Sequence, residues 1–196
     1  MKNRRAGKIS KFGAIALGVG AVLLFLLLRP RGGAVPLSQL PPAEQERRRA
    51  DVQKLEEQVN GIGEAAKQKK GVRFRVTVSE EQLNTMLQER LKPGNAPIHD
   101  VQATLSPGVV TVNGTVDYKG ASLPAALSGT LNVQNGQVTF HADSLSISHL
   151  PAPGALKEKV ENDINQRLSQ GLTEAPLKVE ELTVEQGQLT ISGMTD

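Results

Sequence analysis

The chain has 196 residues, enough for one ordinary domain with appendages. It has no cysteine, which excludes disulfide frameworks, thiolate metal sites and cysteine nucleophiles, and it has no tryptophan. The net charge of +3 is concentrated: residues 1–31 carry seven Lys/Arg and no acid, leaving 16 bases against 20 acids elsewhere, so the body of the protein lacks the basic face that nucleic-acid binding needs.

Residues 1–11 form a basic tail, and Phe12 to Leu28 run for 17 residues without a charge or a strongly polar group. As a helix this stretch spans about 26 Å, the short end of what crosses a bilayer. Five bases precede it and two follow. The bias predicts a retained single-pass anchor in the inner or plasma membrane, with a cytoplasmic N-terminus and an extracytoplasmic body. A cleaved signal peptide is the competing reading, but Arg29-Pro30-Arg31 follows the run where a small-residue cleavage site would stand.

Residues 29–42, rich in Gly and Pro, read as a linker. Residues 43–70 have helical composition, with Val52, Leu55, Val59, Ile62 and Ala66 spaced by three and four. The spacing predicts an amphipathic stalk holding the domain off the membrane; a short coiled coil, and hence a weak homodimer, is the alternative use of that seam. Arg47-Arg48-Arg49 reads as a solvated helix face, with anionic head groups as its other partner.

The domain is expected over residues 71–196. Val72 to Val78 alternate as a half-buried strand. Ser79 and Gln82 form a capping box for a helix over Glu80 to Leu91, with Leu83, Met86 and Leu87 on one face and Pro93-Gly94 beyond its end. Strands follow at Ile98–Ser106, Val109–Tyr118, Ala125–Gln134 and a return strand after Asn135-Gly136, the strongest short hairpin signal in the chain. Parity flips near Asp143-Ser144, which predicts a bulge. Leu150 to Gly154 break the sheet, and a helix from Ala155 to about Gln170 places Leu156, Val160, Ile164 and Leu168 in steps of four. Gly171 reads as its end. Strands Leu177–Glu185 and Gln188–Gly193 flank a Gln186-Gly187 turn. The fold class is α+β: an antiparallel sheet with one apolar face covered by two amphipathic helices.

Catalytic constellations are scarce. His99, His141 and His149 lack ligand spacing and read as surface residues. There is no Gly-rich phosphate loop, nucleophile elbow or zinc motif. Asn113-Gly114-Thr115 matches a glycosylation acceptor but lies mid-strand. Neither an enzyme nor a cofactor is expected. The apolar sheet face is built from Val, Leu, Ala and Gly; on composition alone it reads as an ordinary packed core, and a dry slot for a hydrocarbon chain under two narrow helices is the alternative.

The segment Phe74 to Leu87 (FRVTVSEEQLNTML) resembles the start of the YpmS family of bacterial membrane-anchored proteins, where an F-x-V-T-x-S/T-E-x-x-L-N-x-x-L pattern follows an N-terminal anchor. Asn162 to Gly193, with NQRL and PLKVEELTVEQGQLTISG, is similar to LmeA-like phospholipid-binding proteins of bacterial envelopes. The resemblance implies a TULIP-like fold, a curved antiparallel sheet wrapped on helices, and no catalytic residues. Asn84 is the polar residue of the motif; its expected roles are a helix-surface hydrogen bond or an anchor on the sheet edge. The function it implies is a membrane-anchored protein that holds or shuttles lipid at the envelope; the inward apolar residues expected from side-chain alternation to line an apolar ligand are Leu83, Leu87, Val112, Val116, Leu131, Val138, Phe140, Leu156, Val160 and Ile164. The alternative is a structural or adaptor module acting through its stalk or a sheet edge.

Overall fold

A computed structural model describes residues 37–68, 71–90, 98–118, 120–174 and 177–195. The apolar run 12–28 and the turn at Pro93-Gly94 lie outside these residues. Among the described residues no helix is long and apolar enough to cross a membrane.

A single 3₁₀ turn, Leu37–Gln39, leads into helix α1, Pro42–Gln68. Strand β1 (Arg73–Ser79) and helix α2 (Glu80–Arg90) follow. The capping box forms as expected: Ser79 Oγ accepts from the Gln82 N–H at 3.1 Å, and Gln82 Oε1 accepts from the Ser79 N–H at 3.0 Å. Strands β2 (Ile98–Ser106), β3 (Val109–Tyr118), β4 (Ala121–Gln134) and β5 (Gln137–Ile147) make two hairpins in a row. A two-residue strand β6 (Leu150–Pro151) precedes helix α3, Gly154–Glu174, and β7 (Leu177–Glu185) and β8 (Gln188–Thr195) close the described chain.

Every strand pairing is antiparallel, but the strands divide between two sheets, ordered β2-β3-β4-β5-β6 and β1-β8-β7. The expected single sheet is therefore corrected to two. The reason is the pairing of β1 with β8 across the length of the domain, which side-chain alternation cannot encode. Asn135 and Gly136 both take left-handed φ angles, 53° and 80°, as their type I′ hairpin turn requires. The register between β4 and β5 shifts at Ser128/Gly129, opposite the predicted bulge. Leu150-Pro151 extend the sheet instead of breaking it, and α3 runs through Gly171 to Glu174, since one helical glycine costs only about 1 kcal/mol.

Strand β7 joins the two sheets. Its Val179 N–H donates to Gly136 C=O at 3.0 Å, and its Val184 C=O accepts from Gly108 N–H at 2.9 Å. It thus crosses the tips of both hairpins and closes that end of the larger sheet. Helix α2 packs along edge strand β2, and α3 along β5 and β7.

Helix α1 corrects the expected stalk. Val52, Leu55, Val59 and Ala66 are buried in the domain core, with Ile62 packed beside them. The helix lies on α2 and β1, and burying each Val or Leu contributes roughly 1.5–3 kcal/mol. The seam read as a spacer or coiled coil is spent within one chain, so it offers no dimer face. Arg47-Arg48-Arg49 keep the solvated face expected of them, with Arg47 and Arg49 about half exposed and engaged in ion pairs. Arg47 pairs with Glu44, Asp51 and Glu81, Arg48 with Glu44 and Glu81, and Arg49 with Glu89. Hydrogen bonds from Arg47 and then Arg48 hold the Glu44 carboxyl down at about 2.

Candidate functional site

The larger sheet presents one aliphatic face. Cross-strand partners Leu105↔Val110, Ala103↔Val112 and Val112↔Leu127 stand on it, all buried. Small residues interrupt it. Gly114 pairs with Ala125, and Gly129 lies beneath the Phe140 ring, where a Cβ would collide with that ring and with the His141 carbonyl. Burial then falls off along the strands. At the β7 end the face is covered. At the opposite end Val116 pairs with Leu123, and Ile147 with Ala125; Val116, Leu123 and Ile147 are only half-buried. Helix α3 brings Val160, half-buried, and Leu156, 36% exposed, to this open end.

The ten residues read as lipid-facing fall on this arrangement in two groups. Val112, Leu131, Val138 and Phe140 from the sheet, Leu83 and Leu87 from α2, and Ile164 from α3 are buried together in one core cluster. Val116, Val160 and Leu156 sit at the open end, where Val116 and Leu156 stand outside that cluster. Leu123 and Ile147 join them at this end: Leu123 lies before the expected strand start at Ala125, and only cross-strand register places the two near Val116.

Two latches hold the helices to the sheet. On α2, Asn84 is 2% exposed; its Nδ2 donates to Ala103 C=O at 2.8 Å and its Oδ1 accepts from Ala103 N–H at 2.7 Å. One turn earlier, Glu80 Oε2 accepts from Leu105 N–H at 2.8 Å. On α3 the same spacing recurs. Asn165 bonds both backbone groups of Phe140, at 2.7 and 2.9 Å, and Glu161 Oε2 accepts from Ala142 N–H at 2.8 Å. Lys157 Nζ donates to Ala142 C=O at 3.0 Å. Each helix therefore satisfies alternate backbone groups of an edge strand, as another strand would. The sheet-edge role of Asn84 is the one realised. No role expected from the sequence covers the second latch, which uses Glu161, Asn165 and Lys157. Its signal is the repeated spacing E-x-x-L-N-x-x-L at Glu80–Leu87 and E-x-x-I-N-x-x-L at Glu161–Leu168.

The polar groups elsewhere are arranged for structure. Among the described residues no group of three or more His, Cys, Asp or Glu could hold a metal ion. His99 is gripped by Asp100 at 2.8 Å and by Asp117 at 3.4 Å, and these bonds, that from Asp100 first, raise its pKa. Asn113 is 4% exposed, so its amide is not presented as a glycosylation acceptor.

A family model described as LmeA-like phospholipid-binding matches residues 49–194, beginning inside α1. No curated protein matches the chain.

Proposed function

The chain belongs to the LmeA-like phospholipid-binding family, and on that footing we propose that its larger sheet receives a phospholipid acyl chain through the open end between Val116, Leu123, Ile147, Leu156 and Val160. The protein would be a non-catalytic carrier with a TULIP-like fold, tethered by residues 12–28 and facing the extracytoplasmic side of a bacterial membrane. It would hold or shuttle lipid at the envelope. The observation that supports this reading is the exposure gradient: an aliphatic face covered at one end passes into half-exposed aliphatic residues at the other. A hydrocarbon chain is the ligand such a surface takes, because its gain is area removed from water, roughly 25 cal/mol per Å², and needs no polar partner.

Native mass spectrometry of the full chain, released from gentle detergent, tests it. Wild type should carry phospholipid. Val116→Trp, which fills the open end, should lose at least nine-tenths of it while far-UV circular dichroism is unchanged. Equal lipid in a folded Val116→Trp variant would refute this location. Wild type without phospholipid would favour the adaptor reading.

A further inference from the structure

Leu150 and Leu156 are the exposed large hydrophobics among the described residues, at 69% and 36%. Both lie on one tip, residues 148–156, directly beside the open end. The Ser148 N–H donates to Pro124 C=O at 2.7 Å, which fixes the turn against β4, and Ala152 N–H donates to Leu145 C=O at 2.8 Å. Between these anchors Ser148 and His149 both adopt left-handed φ angles, 50° and 67°. A two-residue turn of this kind ordinarily uses Asn-Gly. Here two side-chain-bearing residues are held in it, and the result is a leucine presented to solvent.

The charge around the tip is distinctive. From residue 72 onward the chain carries 14 acids against 9 bases, yet residues 144–157 contain no acid, and His149 and Lys157 are their titratable side chains. A bilayer surface meets no acid on this segment itself, while Asp100 and Asp117 at the same end are paired with His99. The entry of the chain agrees. Helix α1 runs antiparallel to α2, since Leu37 N–H donates to Gln88 Oε1 at 2.6 Å while Gln82 Nε2 donates to Asp51 C=O at 3.2 Å. Helix α2 in turn points from the β7 end toward the open end, with Glu80 at Leu105 and Asn84 at Ala103. Residue 37 therefore lies at the open end. The nine residue steps from Leu28 to Leu37 can hold it at most about 32 Å from the apolar run.

We propose that the tip carrying Leu150 and Leu156 docks into the interface of a phospholipid bilayer, so that the open end of the sheet faces the membrane while lipid enters or leaves. The proposal rests on the carrier reading for its purpose, and on the anchor at residues 12–28 for its geometry.

The absence of native tryptophan makes a clean probe. Full chain carrying Leu150→Trp is reconstituted into vesicles of phosphatidylcholine and phosphatidylglycerol with brominated acyl chains. Gln137→Trp, exposed at the β4–β5 turn at the far end, is the control. Leu150→Trp should blue-shift and lose at least half its emission, and Gln137→Trp should do neither. In a second arm, Leu150→Glu should slow transfer of a fluorescent phospholipid between vesicles at least tenfold while bound phospholipid at equilibrium stays unchanged. An unquenched Leu150→Trp, quenching equal at both positions, or unaltered transfer would overturn the docking proposal. Its failure is separable from that of the carrier reading: co-purified phospholipid with an unquenched Leu150→Trp rejects docking alone, whereas a quenched tip on a lipid-free protein rejects the carrier alone.

Discussion

Replacing Asn84 with Ala removes one side chain but strands two backbone groups. The Ala103 N–H and C=O lose partners at 2.7 and 2.8 Å, at a residue itself only 2% exposed. A typical intramolecular hydrogen bond contributes about 0.5–1.5 kcal/mol, and each buried group left unpaired costs about 1–3 kcal/mol. Partial relaxation around the gap places the sum near 3 kcal/mol. Asn165→Ala removes an equivalent pair of bonds, but Asn165 is half-buried. Phe140 itself is buried, but with the half-exposed amide removed water can enter in its place and bond those backbone groups, so the cost should be nearer 1 kcal/mol. With a urea slope of about 2 kcal/mol per molar, Asn84→Ala should lower the unfolding midpoint by about 1.5 M and Asn165→Ala by about 0.5 M. Urea titration of the full chain in detergent, followed by circular dichroism, measures both. Asn84→Asp sharpens the test: a carboxylate accepts from Ala103 N–H but cannot donate to its C=O, while the protonated acid does both. The folded state should thus raise that carboxyl's pKa, and Asn84→Asp should gain stability over Asn84→Ala as pH falls toward 4 and lose it as pH rises. Equal midpoint shifts for the two alanine variants, or an Asn84→Ala shift under 0.5 M, would refute the reasoning that burial makes the α2 latch the stronger one.

Gly129→Ala should cost about 3 kcal/mol, read as a lowered unfolding midpoint, because its new Cβ meets the His141 carbonyl, which is backbone and cannot swing away. His99 should titrate by NMR above its ordinary value near 6.5, and Asp100→Asn should bring it down more than Asp117→Asn does. Because the folded value is raised, the stability it lends is complete below about pH 6.5 and is lost as pH rises through the folded value; an Asp100→Asn variant that loses no stability at pH 6 counts against it. Val59→Asp puts a charge into the α1 seam and should destabilise the single chain by about 3 kcal/mol or more without changing its sedimentation mass per micelle; conversion from dimer to monomer would restore the coiled-coil reading.

Local chemistry made much of the fold legible. Alternation located the seven longer strands, and Asn135-Gly136 and the Ser79–Gln82 box each did what its short-range geometry requires. Long-range placement was not legible. Nothing in the β1 alternation says that its partner is β8, more than a hundred residues away. The α1 heptad says that a hydrophobic stripe must be covered, but coverage by its own domain and by a second copy read identically. The candidate site divided the same way. Buried residues such as Val112 and Leu83 followed from periodicity, whereas the mouth at Leu123 and Ile147 depended on register, and the tip at Leu150 on a turn that its Ser-His sequence disguises.

The two latches grip main chain, not side chain. Ala103, Leu105, Phe140 and Ala142 are held through groups that every residue except proline carries. The attachment of both helices is accordingly indifferent to which aliphatic residues stand at those positions. Exchanging those side chains would reshape the aliphatic interior, and the scaffold would keep its walls. The shape of the interior and the attachment of the helices are thereby placed under separate control, the attachment falling on four acidic and amide residues, Glu80, Asn84, Glu161 and Asn165.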